Sequence, residues 1–440
     1  MASDAAAPAP ASPGGGLRRL VDLRPGEGAA VAWAWIFVFS IFLSYSVMRP
    51  IRDELGVAGG VRNLPWLFTG TLVAMLAVQP LYAMLVRRLP RERFIAITYR
   101  FFMANILVFL LLLEFSSPAQ HVWIGRAFFI WVSVFNLFVV SVFWSFVVDL
   151  FDTDQGKRLF GLMAAGATVG AIAGASITSG LVQVIGQNWL LVVSIVLLEV
   201  GVLAVRRLAR IGAVFQRPME REKAEQAVGG GVLTGLTHTL RSPYLLAIAA
   251  FILLYSITST FLYTQQAIAA EGIPNRAERT AFFANIDLAV NVLTLVFQLF
   301  LTGWLMGALG VAVTLSALPL FSVLGFAALA AVPSVAVLVA VQVSRRVSNF
   351  ALARPTREVL FTSLPREDKY KSKNFIDTVV YRTGDQVGIW TASAITWAGL
   401  GMAGVALWAV PISVVWLGVS IWLGRRQEQT ARAAPAAGRA

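Results

Sequence analysis

Apolar runs of about twenty residues recur from Ala30 to Gly424, each closed by a gap rich in Arg, Lys, Pro or Gly. A bilayer core about 30 Å thick takes roughly 20 apolar residues per helical crossing. Marking the runs against their breakers predicts twelve spans. The first six are 30–48, 66–86, 94–114, 122–148, 158–185 and 189–205. The second six are 244–264, 281–303, 308–332, 335–353, 376–399 and 402–424, with Pro333 dividing the ninth from the tenth. Between the two sets lies Arg206–Pro243, whose "RRLARI", "RPMEREKAEQ" and "GGG" cannot cross a membrane. Six spans, a linker and six spans is the arrangement of carriers built from two parallel repeats. The pattern predicts an all-α membrane protein, its twelve transmembrane helices in two six-helix bundles. The expected divisions are a disordered cytoplasmic tail (1–29), an N-terminal bundle (30–205), a cytoplasmic linker (206–243), a C-terminal bundle (244–424) and a second cytoplasmic tail (425–440).

Polar residues inside the spans mark where chemistry would lie. In the eighth span Asp287, Asn291, Thr294 and Gln298 are spaced by 4, 3 and 4, which puts all four on one helical face. Facing lipid, that stripe would be costly, so it faces protein or water. Asp287 is its one carboxylate: a counter-ion for an arginine of the solute path, a carrier of a coupling proton, or a bond to a neighbouring helix. The first span runs into "YSVMRPIRDELG", where Arg49 and Asp53 are four apart and are expected to pair. The bland reading of Arg49, Arg52, Asp53 and Glu54 is a solvated outer loop. In the fifth span Gly166, Gly170 and Gly174 share a face that lets another helix approach closely, for sliding or for static packing. In the eleventh, Arg382 and Asp385 are three apart and can meet.

Two loops in corresponding positions of the halves look alike. After span four, "DLFDTDQGKRLFG" places Asp149 and a Leu-Phe pair before Lys157 and Arg158. After span ten, "EVLFTSLPREDKYKSKNF" places Glu358 and a Leu-Phe pair before Lys371 and Lys373. Each then leads into a small-residue helix face, "ATVGAIAGAS" or "GDQVGIWTAS". Gating contacts would fall at these positions.

Composition narrows the function. The chain is 58% hydrophobic and 13% charged, with a mean hydropathy of +0.73; soluble proteins carry roughly 25% charged residues. The net charge of +13 resides mostly in gaps that would share one side of the membrane. That positive-inside bias predicts a multi-pass protein of the cytoplasmic (inner) membrane with both termini cytoplasmic, and makes nucleic acid an unneeded partner. There is no cysteine, and His121 and His238 are not at metal-ligand spacing, so thiol and metal chemistry have no candidates. No phosphate-binding loop of the hydrolysing type occurs, which leaves exchange or an ion gradient as the energy source. A lipid-modifying membrane enzyme, the competing class, would need a clustered nucleophile or metal set that this chain lacks.

The region "FALARPTREVLFTSLPREDKYKSKNFIDTVVYRTGDQVG" resembles the signature of the non-mitochondrial ATP/ADP translocases, nucleotide carriers of plastids and intracellular bacteria. Pro355-Thr356-Arg357-Glu358, Lys371, Lys373, Ile376-Asp377 and Arg382-x-Gly384 fill that family's pattern. "FWSFVVDLF…GKRLFG" (143–161) and "RPIRDEL" (49–55) are similar to two further pieces of it. Arg52 stands where the family has Lys, Asn374-Phe375 where it has Gly-Lys, and Asp385 where it has Lys. The resemblance implies a major-facilitator-type fold and movement of phosphorylated or otherwise anionic solutes.

The expectation is therefore a monomeric secondary active transporter of a small anionic, nucleotide-like solute, needing no cofactor; a proton-coupled carrier of another organic solute is the alternative. Arg49, Arg52, Asp287, Asn291 and Arg382 are the candidate solute-binding residues. Asp53, Asp149, Lys157, Arg158, Glu358, Lys371, Lys373, Asp377 and Asp385 are the candidates for coupling or gating.

Overall fold

The computed structural model describes residues 27–433, apart from 89–90, 151–152, 216–236, 238, 362–371 and 374. Its first helices are α1 (Glu27–Ala58), α2 (Leu64–Arg88), α3 (Arg91–Phe115) and α4 (Pro118–Leu150). The long element Thr153–Phe215 is broken at Gly186 into α5 (153–185) and α6 (187–215). Then come α7 (Pro243–Glu271) and α8 (Arg276–Phe300). In the element Thr302–Ala331, residues before Gly310 prolong α8 and those after it form α9 (311–331). The last three are α10 (335–360), α11 (376–397) and α12 (Met402–Ala433). Gly186 and Gly310 turn the chain at single residues with φ of 77° and 76°, a region L side chains avoid.

Ten described stretches are long and apolar enough to cross a membrane, and one of them, Leu162–Ile211, contains two helices. α11 is too polar over Tyr381–Asp385 to join them, yet it packs along α7 inside the fold. The twelve-helix arrangement in two bundles is thus present.

Several helices outrun the apolar windows. α1 continues through Arg49–Glu54 to Ala58 instead of yielding to a loop, α6 runs on to Phe215, and α12 to Ala433. Charge ends a hydropathy window but does not end helical hydrogen bonding. The first extension matters most: Asp53 and Glu54 are 3% and 0% exposed, so the solvated-loop reading fails.

Both halves use the same close packing. A Cβ built on Gly170 or Gly174 would lie 2.5 Å from Phe39 O or 2.6 Å from Leu43 O, so α5 rests directly on the α1 backbone. In the other half a Cβ on Gly384 would lie 2.6 Å from Ser256 Cβ, and one on Gly388 2.9 Å from Ile257 Cα, which seats α11 on α7. Inside the N-terminal bundle Phe37 meets Tyr99, Phe143 and Phe146. In the C-terminal bundle the fully buried Trp416 meets Phe251 and Tyr255. The outward faces are apolar, as Leu107, Leu111, Val414 and Val415 illustrate, and suit contact with lipid chains. Two π-turns, Asn349–Ala353 in α10 and Ile376–Val380 in α11, flank the segment that carries the basic loop.

Candidate functional site

A cavity of about 180 Å³ lies between the halves, lined by Arg49, Arg52 and Ser133 on one side and Tyr263, Tyr381, Arg382 and Asp385 on the other. Each cation in it is already held by an acid. Arg52 directs Nε (2.9 Å) and Nη2 (2.5 Å) to Asp53 Oδ1, and Tyr263 donates its hydroxyl to the same oxygen at 3.0 Å. Its guanidinium carbon sits 5.0 Å from the centre of the Phe129 ring, a cation–π distance. Arg382 Nη1 is 3.1 Å from Asp385 Oδ2, while Ser256 donates to Asp385 Oδ1 at 2.5 Å. Beside the cavity, Asp287 Oδ1 joins Arg49 Nη1 at 3.3 Å and Arg346 Nη1 at 2.7 Å. Arg49, Arg52, Arg346 and Arg382 thus face Asp53, Asp287 and Asp385, one cation in excess. Ion pairs taken out of water persist only while their partners stay in place, and a surplus cation among them favours an incoming anion.

Toward the end of α1 the halves are sealed. Glu54 accepts from Arg279 Nη2 at 2.8 Å and Arg276 Nε at 3.4 Å, and Val61 N donates to Glu271 Oε1 at 3.3 Å. Val57, Leu64, Leu67 and Phe129 form one apolar cluster with Ala267, Phe283 and Ile389 of the other half. Thr69 bonds Gln386 at 2.9 Å, Trp66 packs edge-on against Trp390, and Ser179 hydrogen-bonds Asn285. At the opposite end, among the described residues, no hydrogen bond or ion pair joins the halves.

The sequence candidates divide accordingly. Arg49, Arg52, Asp53, Asp287, Arg382 and Asp385 converge at the cavity or on its edge. Asn291 does not line it and makes no hydrogen bond among the described residues; it is half-exposed, one turn from Asp287. The expected Arg49–Asp53 pair is absent, because Arg52 and Tyr263 occupy Asp53 and Arg49 reaches across to α8 instead. Glu358 pairs with Lys373, and Asp377 with Arg357 at 3.2 Å, both away from the cavity near the π-turns. The Asp149, Lys157 and Arg158 side chains and the whole of Lys371 lie outside the described residues.

Sequence reasoning missed Arg346, Tyr263, Tyr381 and the Glu54–Arg276–Arg279 cluster. It also missed Arg345, only 2% exposed, which donates to Ser322 Oγ (2.8 Å), Tyr255 O (3.1 Å) and Thr258, with the rings of Tyr255 and Trp416 alongside. Two adjacent arginines inside an apolar run were the available signal.

The family model of the Major Facilitator Superfamily matches residues 28–370, and the chain belongs to that superfamily. It is a multi-pass membrane protein with the transporter fold of that superfamily. "ADP,ATP carrier protein 1" of Chlamydia trachomatis is 27% identical over 230 residues, 46% of this chain and 43% of the carrier; the match therefore spans less than half of that relative. A POT family transporter crystallised with a thioalcohol-conjugated peptide superposes with a TM-score of 0.63 at 12% identity, covering 91% of this chain and 96% of that one. A bacterial homologue of the iron transporter ferroportin, in an inward-facing state, gives 0.63 at 10% identity, covering 91% and 98%. The nucleoside transporter NupG gives 0.54 at 13% identity, covering 91% and 99%. At these identities the structures speak for the fold.

Proposed function

We propose that the chain is a secondary active carrier of an anionic, nucleotide-like solute, working by alternating access between its halves. The observation that carries this reading is the meeting of Arg49 and Arg52 from α1 with Arg382 from α11 on one cavity. Guanidinium groups bind phosphate and carboxylate through short, charge-assisted and often bidentate hydrogen bonds. The likeness to an ADP,ATP carrier supports a nucleotide-like cargo. At about 180 Å³ the cavity falls below the roughly 300–1,000 Å³ usual for ligand sites. In this reading solute enters as the halves part and exchanges an aspartate partner for its own anionic group. Asp287 acts as counter-ion to Arg49 and Arg346.

In this scheme the protein lies in the cytoplasmic membrane as a monomer, with 30–205 and 244–424 as its moving halves and both termini, the linker and the tails cytoplasmic. The sealed end then faces outward. No nucleic acid takes part.

Counterflow in proteoliposomes tests the cargo. With labelled solute from a panel of nucleotides, nucleosides and organic anions, the anionic members are expected to exchange and the neutral nucleosides not. Arg52→Ala and Arg382→Ala are each expected to weaken binding of the active solute by about 2–5 kcal/mol, since each removes a cation that would meet its anionic group. Affinity equal to the wild type in both, and in Arg49→Ala, refutes an arginine-lined site.

A further inference from the structure

A second cavity, of about 660 Å³, opens on the outer face of the C-terminal half, where the start of α7 meets the end of α12. Its walls combine three chemistries. Arg425 and Arg426 are exposed, and among the described residues neither guanidinium meets a carboxylate. The acid nearest in sequence, Glu428, is turned inward, where it accepts from Ala312 N at 3.0 Å. Trp422 is 47% exposed, and beside it Gly418 has nothing within 4 Å of where a Cβ would stand, so the surface is notched there. Above the notch, Val414 and Val415 continue the same face at helical spacing, 51% and 59% exposed. One strip of α12 therefore passes from apolar side chains, through a notch and an interfacial aromatic, to a pair of exposed arginines.

That order matches the order of groups along a phospholipid: acyl chain, glycerol region, phosphate. Aromatic rings favour the headgroup level of a bilayer, and basic pockets between helices at the membrane boundary suit anionic headgroups. α7 strengthens the basic end, because its N-terminus, capped by Ser242 and preceded by the exposed Arg241, also points its positive dipole into the cavity. We infer that this groove is a binding site for an anionic phospholipid, its phosphate held by Arg425 and Arg426 and one acyl chain laid over Gly418.

The site has a mechanical connection to the rest of the half. Tyr244, in its wall, hydrogen-bonds Leu360 O at 3.0 Å and Gln427 at 3.2 Å, and Gln427 donates to Val359 O at 3.3 Å. A lipid seated there therefore rests against the contacts that fix the end of α10, where the basic loop begins.

Retention of lipid by the purified full-length protein tests the inference. The protein is delipidated in detergent, offered phosphatidylglycerol or phosphatidylcholine, and analysed by native mass spectrometry. The wild type is expected to retain phosphatidylglycerol about 10-fold or more over phosphatidylcholine, as two arginines at a membrane surface would produce. Arg425→Gln with Arg426→Gln is expected to abolish that preference. Arg206→Gln with Arg207→Gln, an equal loss of charge at the end of α6, is expected to leave it intact. Gly418→Trp keeps both arginines but fills the notch and is expected to lower retention. Equal losses from the two arginine pairs, an unchanged preference in the Gly418 variant, or complete displacement of the lipid by soluble glycerol 3-phosphate would each overturn the site. The first would mean diffuse charge, the second no seated chain, and the third a plain phosphate pocket.

Discussion

Replacing Asp287 by Asn keeps its size but leaves Arg49 and Arg346 facing one another with no negative charge between them. Their nearest nitrogens stand 3.3 and 2.7 Å from the same oxygen, so the two cations can be no more than about 6 Å apart. At an effective dielectric of about 20, their repulsion at that distance is about 3 kcal/mol. Breaking a buried pair usually costs about 3–5 kcal/mol. Arg49, with 30% of its side chain exposed, can turn toward cavity water, whereas Arg346, with 12%, cannot. A loss of about 3 kcal/mol is therefore expected for Asp287→Asn. Removing the second cation should recover part of it. The measurement is a double-mutant cycle of Asp287→Asn and Arg346→Gln, read as unfolding free energy in one detergent. A coupling of about 1–3 kcal/mol is expected, as for residues in direct contact. Single effects that simply add, within about 0.5 kcal/mol, would show that Asp287 is not the clamp between these arginines. Transport provides a separate reading: an Asp287→Asn carrier that still accumulates solute uphill with an unchanged pH profile is not using this carboxylate to carry protons.

Gly170→Leu would drive a side chain into the Phe39 carbonyl and is expected to cost at least about 1–3 kcal/mol by overpacking, while Gly180→Ala, with open space around it, should unfold like the wild type; equal stability of the two would refute the close contact. Glu54→Gln removes the acid that Arg276 and Arg279 share and should loosen the sealed end. Because the chain has no cysteine of its own, Ser133→Cys gives a single label site in the cavity. Impermeant maleimide applied from the sealed side should label it faster in the Glu54 variant, and equal rates would refute the latch. Reporter fusions after Asn275 should register outside and those after Lys369 in the cytoplasm; a cytoplasmic signal at Asn275 rejects the proposed orientation.

The fold was largely legible because lipid imposes one demand on every span, an apolar run of sufficient length; the divisions at Pro333 and after the glycine-rich fifth span were the least marked. Helix ends were less legible. Arg49–Glu54 lie on a helix because neighbouring helices cover them, and a window of hydropathy contains no neighbours. The site was half legible for the same reason. Asp287 and Arg382 stand out as charges in apolar runs, but their partners are set by three-dimensional packing: Arg49 crosses to α8 where local spacing favours Asp53. Tyr263 and Tyr381 look like ordinary membrane aromatics until they appear on a cavity wall. Arg345 and Arg346 show how adjacent, identical residues diverge. One turns to the acid Asp287, the other into a core of rings and hydroxyls, because neighbouring residues on a helix point about 100° apart.

The pairing of every cavity arginine with an aspartate bears on leakage. With the cavity empty, moving the halves apart pulls Arg49 from Asp287 across the boundary between them, and nothing arrives to replace the lost partner. On the proposed scheme an anion bound in the cavity would supply that partner, so the loaded carrier would face a lower barrier than the empty one. A carrier built in this way would return slowly without cargo and promptly with it, which would favour one-for-one exchange over net flux. On that reading the Arg49–Asp287 pair, which joins the halves at rest, would also tie the return step to the presence of cargo.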